Sequence, residues 1–115
     1  MKTLLLAATL SLVSAAALAA ADSGKQLYAV YCTQCHGVAG NGKGINAAQM
    51  AVQPRDHTDT KEMSARTDEE LFKVIQHGGK SINKSVLMPA WGGNLKDDEI
   101  HALVGYLREL CCQKN

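Results

Sequence analysis

The sequence lacks an excess of charge of either sign. Its 12 Lys and Arg residues face 11 Asp and Glu residues, which gives a formal net charge of +1 at pH 7. A nucleic-acid surface needs a clustered basic excess, so nucleic acid is not an expected partner. The balance also provides no strong field that would steer an acidic or a basic protein partner.

Aromatic residues are scarce, and strand patterns are absent from the sequence. The 115 residues include one Trp, one Phe and three Tyr, and no segment alternates apolar and polar residues as a half-buried strand would. The length allows one small domain, in a size class where an apolar core alone is marginally stable. A large apolar cofactor would supply the missing core.

Long hydrophobic runs are confined to the N-terminus. A positively charged residue precedes the apolar, Ala-rich stretch Leu4–Ala21, which is the layout of a secretory signal peptide. We therefore predict a signal peptide at residues 1–21, cleaved after Ala19 or Ala21, and an exported, periplasmic domain at 22–115. An uncleaved membrane anchor is the alternative, because the stretch is close to the lower length limit of a spanning helix.

Apolar periodicity predicts an all-α fold. The three main helices are Ser23–Thr33, Asp68–Gln76 and Asp97–Leu110. Each carries apolar residues at helical spacing. Thr67 and Glu70 match a capping box before the second helix, and Asp97 is expected to cap the third helix in place of Lys96.

Two long stretches, Gly37–Arg66 and Gly78–Lys96, show little periodicity. Structureless loops of this length are unusual inside a compact domain. They are explained if they form the walls around a bound cofactor.

The stretch Tyr31–Gly37 (YCTQCHG) contains the candidate functional residues, a Cys-x-x-Cys pair followed by a histidine. A Cys-x-x-Cys pair can exchange disulfides, bind zinc or receive a covalent haem. Disulfide exchange is disfavoured because Cys32 and Cys35 fall at the end of a helix, where the dipole does not favour a thiolate. Zinc would need a second pair of spaced ligands, whereas Cys111 and Cys112 are adjacent.

The haem interpretation accounts for more of the sequence. C-x-x-C-H is the pattern of c-type haem attachment, in which two thiols add to the haem vinyl groups. His36 then follows Cys32 and Cys35 at the position of the proximal iron ligand. Export, the thin core and the irregular stretches agree with this interpretation, so we predict one covalently attached haem c per chain.

From Gly24 to Leu110 the sequence resembles small bacterial class I cytochromes c. Besides the attachment motif, the residues that carry the resemblance are Gly24, Tyr28, Cys32, Leu103, Tyr106 and the loop Met88–Gly93. The resemblance implies a cytochrome c fold, with three main helices and long loops wrapped around one haem. It also implies that Met88, in a Met-Pro loop stiffened by its proline, is the distal iron ligand opposite His36.

Other residues compete for the distal position. His57 would give a bis-His haem and is the least easily dismissed. Met50 and Met63 are expected to fill the core. His77 is expected to interact with the end of the second helix, and His101 is expected to be exposed.

Two residues are candidate contacts for haem propionates. Trp91 offers an indole N–H, with packing as the alternative role. Arg55 offers its planar fork, with an exposed loop charge as the slightly favoured alternative. The acceptor for the second ring nitrogen of His36 is not identified.

Cys111 and Cys112 depart from the family pattern. A disulfide between neighbours would be strained, so we expect free thiols or an intermolecular bridge that makes a covalent dimer. Their role is not otherwise indicated.

These features predict a periplasmic one-electron carrier that connects larger redox proteins and is not an enzyme. The alternative is a haem enzyme or gas sensor with an open or displaceable sixth ligand. Whether Met88 binds the iron distinguishes the two functions.

Overall fold

Residues 23–113, which the computed structural model describes, are all-helical and contain no strand. The α-helices are α1 (described from 23 to 31), α2 (Thr33–His36), α3 (Thr60–Ser64), α4 (Asp68–His77) and α5 (Asp97–Cys112). Short 3-10 turns lie at Ala47–Gln49, Gly79–Ile82 and Trp91–Gly93. The predicted all-α class is confirmed.

The three predicted helices are present, with changes at their ends. The first ends at residue 31, and the separate short helix α2 begins at its predicted end, Thr33. The second ends at His77 rather than Gln76, and the third at Cys112 rather than Leu110. The expectation that Gly37–Arg66 lacks structure is wrong, because this stretch contains α3 and a 3-10 turn. Only Met63 of α3 is buried, so the helix is too short and too exposed for a periodic pattern.

Glutamate side chains complete the starts of α4 and α5. The hydroxyl of Thr67 accepts the N–H of Glu70 at 3.1 Å, and the carboxylate of Glu70 accepts the N–H of Thr67 at 2.8 Å. The predicted capping box is therefore confirmed. The expectation that Asp97 caps α5 is wrong: Lys96 occupies the N-cap. Since a lysine side chain has no acceptor, the carboxylate of Glu99 satisfies the Lys96 N–H instead, at 2.8 Å.

Close contact between α1 and α5 forms one end of the core. A Cβ on Gly24 would lie against the backbone carbonyl oxygen of Ala102, so the glycine permits the helices to approach. Tyr28 is 2% exposed, and its ring meets Tyr106 edge to face, with centroids 5.2 Å apart. Leu103 is buried in the same cluster. Four residues of the family resemblance therefore lie at this helix crossing, namely Gly24, Tyr28, Leu103 and Tyr106.

Arg108 of α5 is hydrogen-bonded to the segment that joins α3 to α4. Its guanidinium donates to the carbonyl oxygens of Met63, at 2.7 Å, and of Arg66. It also donates to the carboxylate of Asp68 at 2.7 Å. Carbonyl groups at the end of a helix lack partners within the helix. The Arg108 guanidinium supplies such a partner and so links α5 to the end of α3.

A disulfide joins Cys111 to Cys112 in the last turn of α5. The expectation of free thiols or an intermolecular bridge is therefore wrong for this structure. Cys111 is buried, and its carbonyl oxygen accepts a hydrogen bond from Thr60 of α3 at 2.6 Å. Since both sulfurs share one bond, neither has a thiol with which to link a second chain.

The predicted signal peptide at residues 1–21 lies outside the described residues. The choice between cleavage and anchoring therefore stays a prediction. Among residues 23–113, no helix combines the length and the hydrophobicity that a membrane crossing needs.

Candidate functional site

The Cys-x-x-Cys-His motif lies where α1 ends and α2 begins. Cys32 occupies the N-cap of α2, which contains Cys35 and His36. The His36 N–H donates to the carbonyl oxygen of Cys32 at 2.9 Å, closing one helical turn. The side chains of all three residues line the same cavity.

The cavity has a volume of about 350 Å³ and mainly apolar walls, within the range of cofactor sites. Helices α4 and α5 supply the wall residues Leu71, Val74, Ile75, Leu103 and Leu107. Arg55, Met88 and Trp91 also line the cavity. The structure thus brings together all the residues that the sequence predicts to bind haem, although their roles stay predictions.

Glycines that follow the motif fold the chain back onto it. Gly42 has a φ of +78°, which favours glycine, and a Cβ there would lie 2.6 Å from the carbonyl oxygen of Pro54. The Gly42 N–H donates to the carbonyl oxygen of His36 at 2.8 Å. These contacts bring the residues that follow Pro54 next to the motif.

His36 finds its hydrogen-bond acceptor in that segment. Its Nδ1 lies 3.0 Å from the carbonyl oxygen of Arg55, and donation through Nδ1–H leaves Nε2 for a metal. Burial lowers the pKa of His36, and the hydrogen bond opposes part of this shift; the net direction favours the neutral ring that a metal ligand needs. No sequence pattern identifies this acceptor, although Pro54 restricts the backbone just before it.

His57 stacks on His36, with ring centroids 4.1 Å apart and planes inclined by 18°. Two imidazoles on opposite faces of a haem meet the iron head to head rather than face to face, so a His36/His57 ligand pair does not fit this geometry. His57 is 9% exposed, and its Nδ1 is hydrogen-bonded to the hydroxyl of Tyr28 at 2.9 Å. Burial, followed by the nearby His36 and Arg55, lowers the pKa of His57 to about 3.

Met88 is held by backbone hydrogen bonds in the segment that joins α4 to α5. Its carbonyl oxygen accepts the N–H of Gly79 at 3.2 Å, and its own N–H donates to Ser85 at 3.4 Å. Met63 is fully buried in the core, as expected. Met50 is instead partly buried and lines the cavity, so its expected role as core filler is wrong.

Arg55, Trp91 and Arg66 are among the polar residues that line the cavity besides the motif. Arg55 pairs with Glu62 at 2.6 Å and is 24% exposed, so it is not a free loop charge. Trp91 meets Tyr31 edge to face, with centroids 5.0 Å apart. Arg66 was not predicted, because no sequence pattern marks it; its Nε is buried without a hydrogen-bond partner among the described residues. A buried donor of this kind fits an acceptor group such as a carboxylate.

The two remaining histidines lie away from the cavity. His77 is the last residue of α4, the position from which it was expected to interact with the helix end, and its side chain is exposed. His101 is exposed as well, with its ring 4.5 Å from that of Phe72. Neither is among the cavity-lining residues of the described chain.

The set of donors fits a covalent haem better than its two rivals. Burial, with the nearby Cys35, raises the pKa of Cys32 to about 12, whereas disulfide exchange needs an activated thiolate. In residues 23–113, no three His, Cys, Asp or Glu side chains form a group that could hold a metal ion. A haem iron needs only two protein ligands, and His with Met is a pair that cytochromes c use.

Comparisons with known proteins agree with this chemistry. Residues 19–107 match the family model described as cytochrome c oxidase, cbb3-type, subunit III. Among solved structures, the c-type cytochrome KustC0563 is similar, with 27% identity and a TM-score of 0.61 over 76% of this chain and 96% of that chain. A chain of the Kuenenia stuttgartiensis reducing HAO-like protein complex Kustc0457/Kustc0458 is also similar, with 26% identity and a TM-score of 0.63 over 78% of this chain and 42% of that chain. No curated protein matches the sequence significantly.

Proposed function

The chain belongs to the family described as cytochrome c oxidase, cbb3-type, subunit III, and within it we propose an exported carrier of single electrons. As a c-type cytochrome it carries covalently bound haem and acts in electron transfer. In more detail, we propose that the chain carries one haem c, is periplasmic and catalyses no bond-making reaction. The signal-peptide pattern of the sequence supports export.

Four residues would hold the haem. Cys32 and Cys35 would form the thioether bonds, and His36 and Met88 would bind the iron. The observation that carries the proposal is that all four side chains line one mainly apolar cavity. The Nδ1–H of His36 is already directed to a carbonyl oxygen, which leaves Nε2 for the iron.

Three further residues would contact the propionates. Arg55 and Trp91 line the same cavity and offer N–H donors. Arg66 joins them because its buried Nε has no hydrogen-bond partner in the described chain. A propionate is an acceptor that these donors suit.

Two protein ligands favour a carrier over a haem enzyme or a gas sensor. A bound haem supplies the one-electron chemistry of its iron. If His36 and Met88 both bound the iron, they would leave no free position for an external ligand.

The surface near the thioether bonds is the proposed site of electron exchange. Cys32 and Cys35 are only partly buried. Exposed apolar residues line hollows beside Cys35, namely Ile45, Val52 and Leu87. Because clustered exposed apolar residues mark protein-binding surfaces, we propose larger redox proteins as electron donor and acceptor.

A Met88→Ala variant tests the ligand assignment, with Met50→Ala as the matched control, since Met50 also lines the cavity. We expect Met88→Ala to lose the low-spin spectrum of the wild type and to bind carbon monoxide rapidly when reduced. Met50→Ala and the wild type should do neither. An unchanged spectrum in Met88→Ala would contradict the proposal.

Haem attachment is tested on protein matured with the export machinery. After acid-acetone extraction, the haem should stay with the protein, at one iron per chain. Haem that is fully extracted, or protein that contains none, would exclude the proposed site.

A further inference from the structure

One short segment places two restraints on His36. The carbonyl oxygen of Arg55 lies 3.0 Å from its Nδ1, and the ring of His57 stacks on the imidazole at 4.1 Å. The backbone N–H of His57 donates to the carbonyl oxygen of Gly40 at 2.7 Å, and this bond fixes the segment against the loop after the motif. The hydrogen bond determines which ring nitrogen faces the cavity, and the stacked ring limits the angles that the imidazole plane can adopt.

Tyr28 in turn contacts His57. The hydroxyl of Tyr28 is hydrogen-bonded to its Nδ1 at 2.9 Å, and the two rings meet at 66° with centroids 5.8 Å apart. Tyr28 packs in turn on Tyr106 at the crossing of α1 and α5. Both His57 and Tyr28 are buried, so a continuous series of contacts runs from the helix crossing to His36.

We propose that His57 is a positioning residue whose buried ring, held by Tyr28, sets the plane of the His36 imidazole. This rests on the proposed function, because it concerns His36 as an iron ligand. The orientation of an axial imidazole affects the energies of the iron d orbitals in a low-spin ferric haem. It is therefore observed in the EPR g-values and in the NMR shifts of the haem methyl groups, and groups that orient a ligand also tune the metal's potential.

Substitutions at His57 separate this role from simple core filling. His57→Leu fills much of the volume but offers no flat ring, whereas His57→Phe restores a ring that can stack. Tyr28→Phe keeps both rings and removes the hydrogen bond between them. Ile100→Ala is the control for lost packing, since Ile100 is fully buried and does not line the cavity.

We expect His57→Leu to shift and broaden the ferric EPR g-values, to change the haem methyl shifts and to move the midpoint potential. His57→Phe should return these values towards the wild type, and Tyr28→Phe should give a smaller shift than His57→Leu. Ile100→Ala should lower the melting temperature and leave the spectra unchanged.

Unchanged g-values and potential in His57→Leu, with only a lower melting temperature, would overturn the inference. Equal spectral shifts in Ile100→Ala would overturn it as well. If His57→Leu does not fold, Tyr28→Phe decides, because wild-type g-values there would show that the bond to Tyr28 does not position the ring. A wild-type spectrum in Met88→Ala refutes the proposed function instead, so the two failures are distinguishable.

Discussion

Gly24 shows how one absent side chain permits a helix crossing. The space that a Cβ would take contains the carbonyl group of Ala102 and the Cβ of Tyr106. The carbonyl group belongs to the backbone of α5, so it cannot turn aside as the end of a side chain can. The close approach at Gly24 lets Tyr28 reach Tyr106 and, through its hydroxyl, His57.

We predict that Gly24→Ala destabilises the protein, although alanine has the higher helix propensity. The clash should cost roughly 1–3 kcal/mol, as for other overpacked sites. Gly105→Ala is the matched control in α5, because no atom lies within 4 Å of its Cβ position. It should instead raise the free energy of unfolding by about 0.5–1 kcal/mol. Denaturant unfolding of the haem-containing protein measures both, and effects of the same sign would contradict the prediction.

At the scale of single residues, the sequence indicates side chains better than backbone groups. Cys32, Cys35 and His36 are marked by their spacing, and Met88 by the proline that follows it. The acceptor for His36 could not be found in this way, because a backbone carbonyl exists at every position. Its location depends on how the Gly-rich loop folds back, which the spacing of residues does not specify.

At the scale of elements, the segment that presents Met88 is fastened to the end of α4. The helix is followed by its C-cap residue Gly78, whose φ of +82° turns the chain sharply. A Cβ on Gly79 would lie against the carbonyl oxygen of Ser85, and the Gly79 N–H donates to Met88. The segment is therefore a closed loop with its position set by two glycines.

We predict that Gly79→Ala weakens the binding of Met88 to the iron, because the added methyl group would push the Ser85 backbone away. Imidazole should then displace Met88 from the ferric iron at a lower concentration than in the wild type, about tenfold lower for each 1.4 kcal/mol of strain. Gly93→Ala is the control, since nothing lies within 4 Å of its Cβ position. An imidazole titration followed by absorbance measures the difference, and equal affinities in the two variants would contradict the prediction.

Element length explains which helices the sequence predicts. Helices α4 and α5 are long enough for a repeated apolar stripe, with Leu71 and Ile75 buried in α4. Helix α3 is five residues long and buries only Met63, so its sequence contains no repeat. It depends instead on tertiary contacts, among them the hydrogen bond from Arg108 to the Met63 carbonyl.

At the scale of the whole molecule, the core has two parts. One is the crossing of α1 and α5, where Tyr28, Leu103 and Tyr106 pack directly on one another. The other is the part of α4 and α5 that borders the cavity, where Leu71, Ile75 and Leu107 are buried in the same cluster and also line the cavity. A haem in the cavity would extend this core, which agrees with the scarcity of aromatic residues in the sequence.

We predict that the fold depends on covalent haem. A Cys32→Ala/Cys35→Ala variant cannot form the thioether bonds, so the apolar wall of the cavity would be exposed to water, a state that a domain of this size cannot offset. We expect it to lose most of its helical far-UV circular dichroism and its cooperative thermal transition. The matched control is Cys111→Ser/Cys112→Ser, which also removes two cysteines.

That control should keep the haem and the fold. The bond between Cys111 and Cys112 joins neighbours, and a bond that closes so small a loop hardly restricts the unfolded chain. Its melting temperature should fall only slightly, because Cys111 is buried and serine packs there less well. If the Cys32→Ala/Cys35→Ala variant instead unfolded cooperatively at the temperature of the wild type, the chain would possess a sufficient core of its own. The cavity would then be a binding site within a stable fold rather than a part of the core that the haem completes.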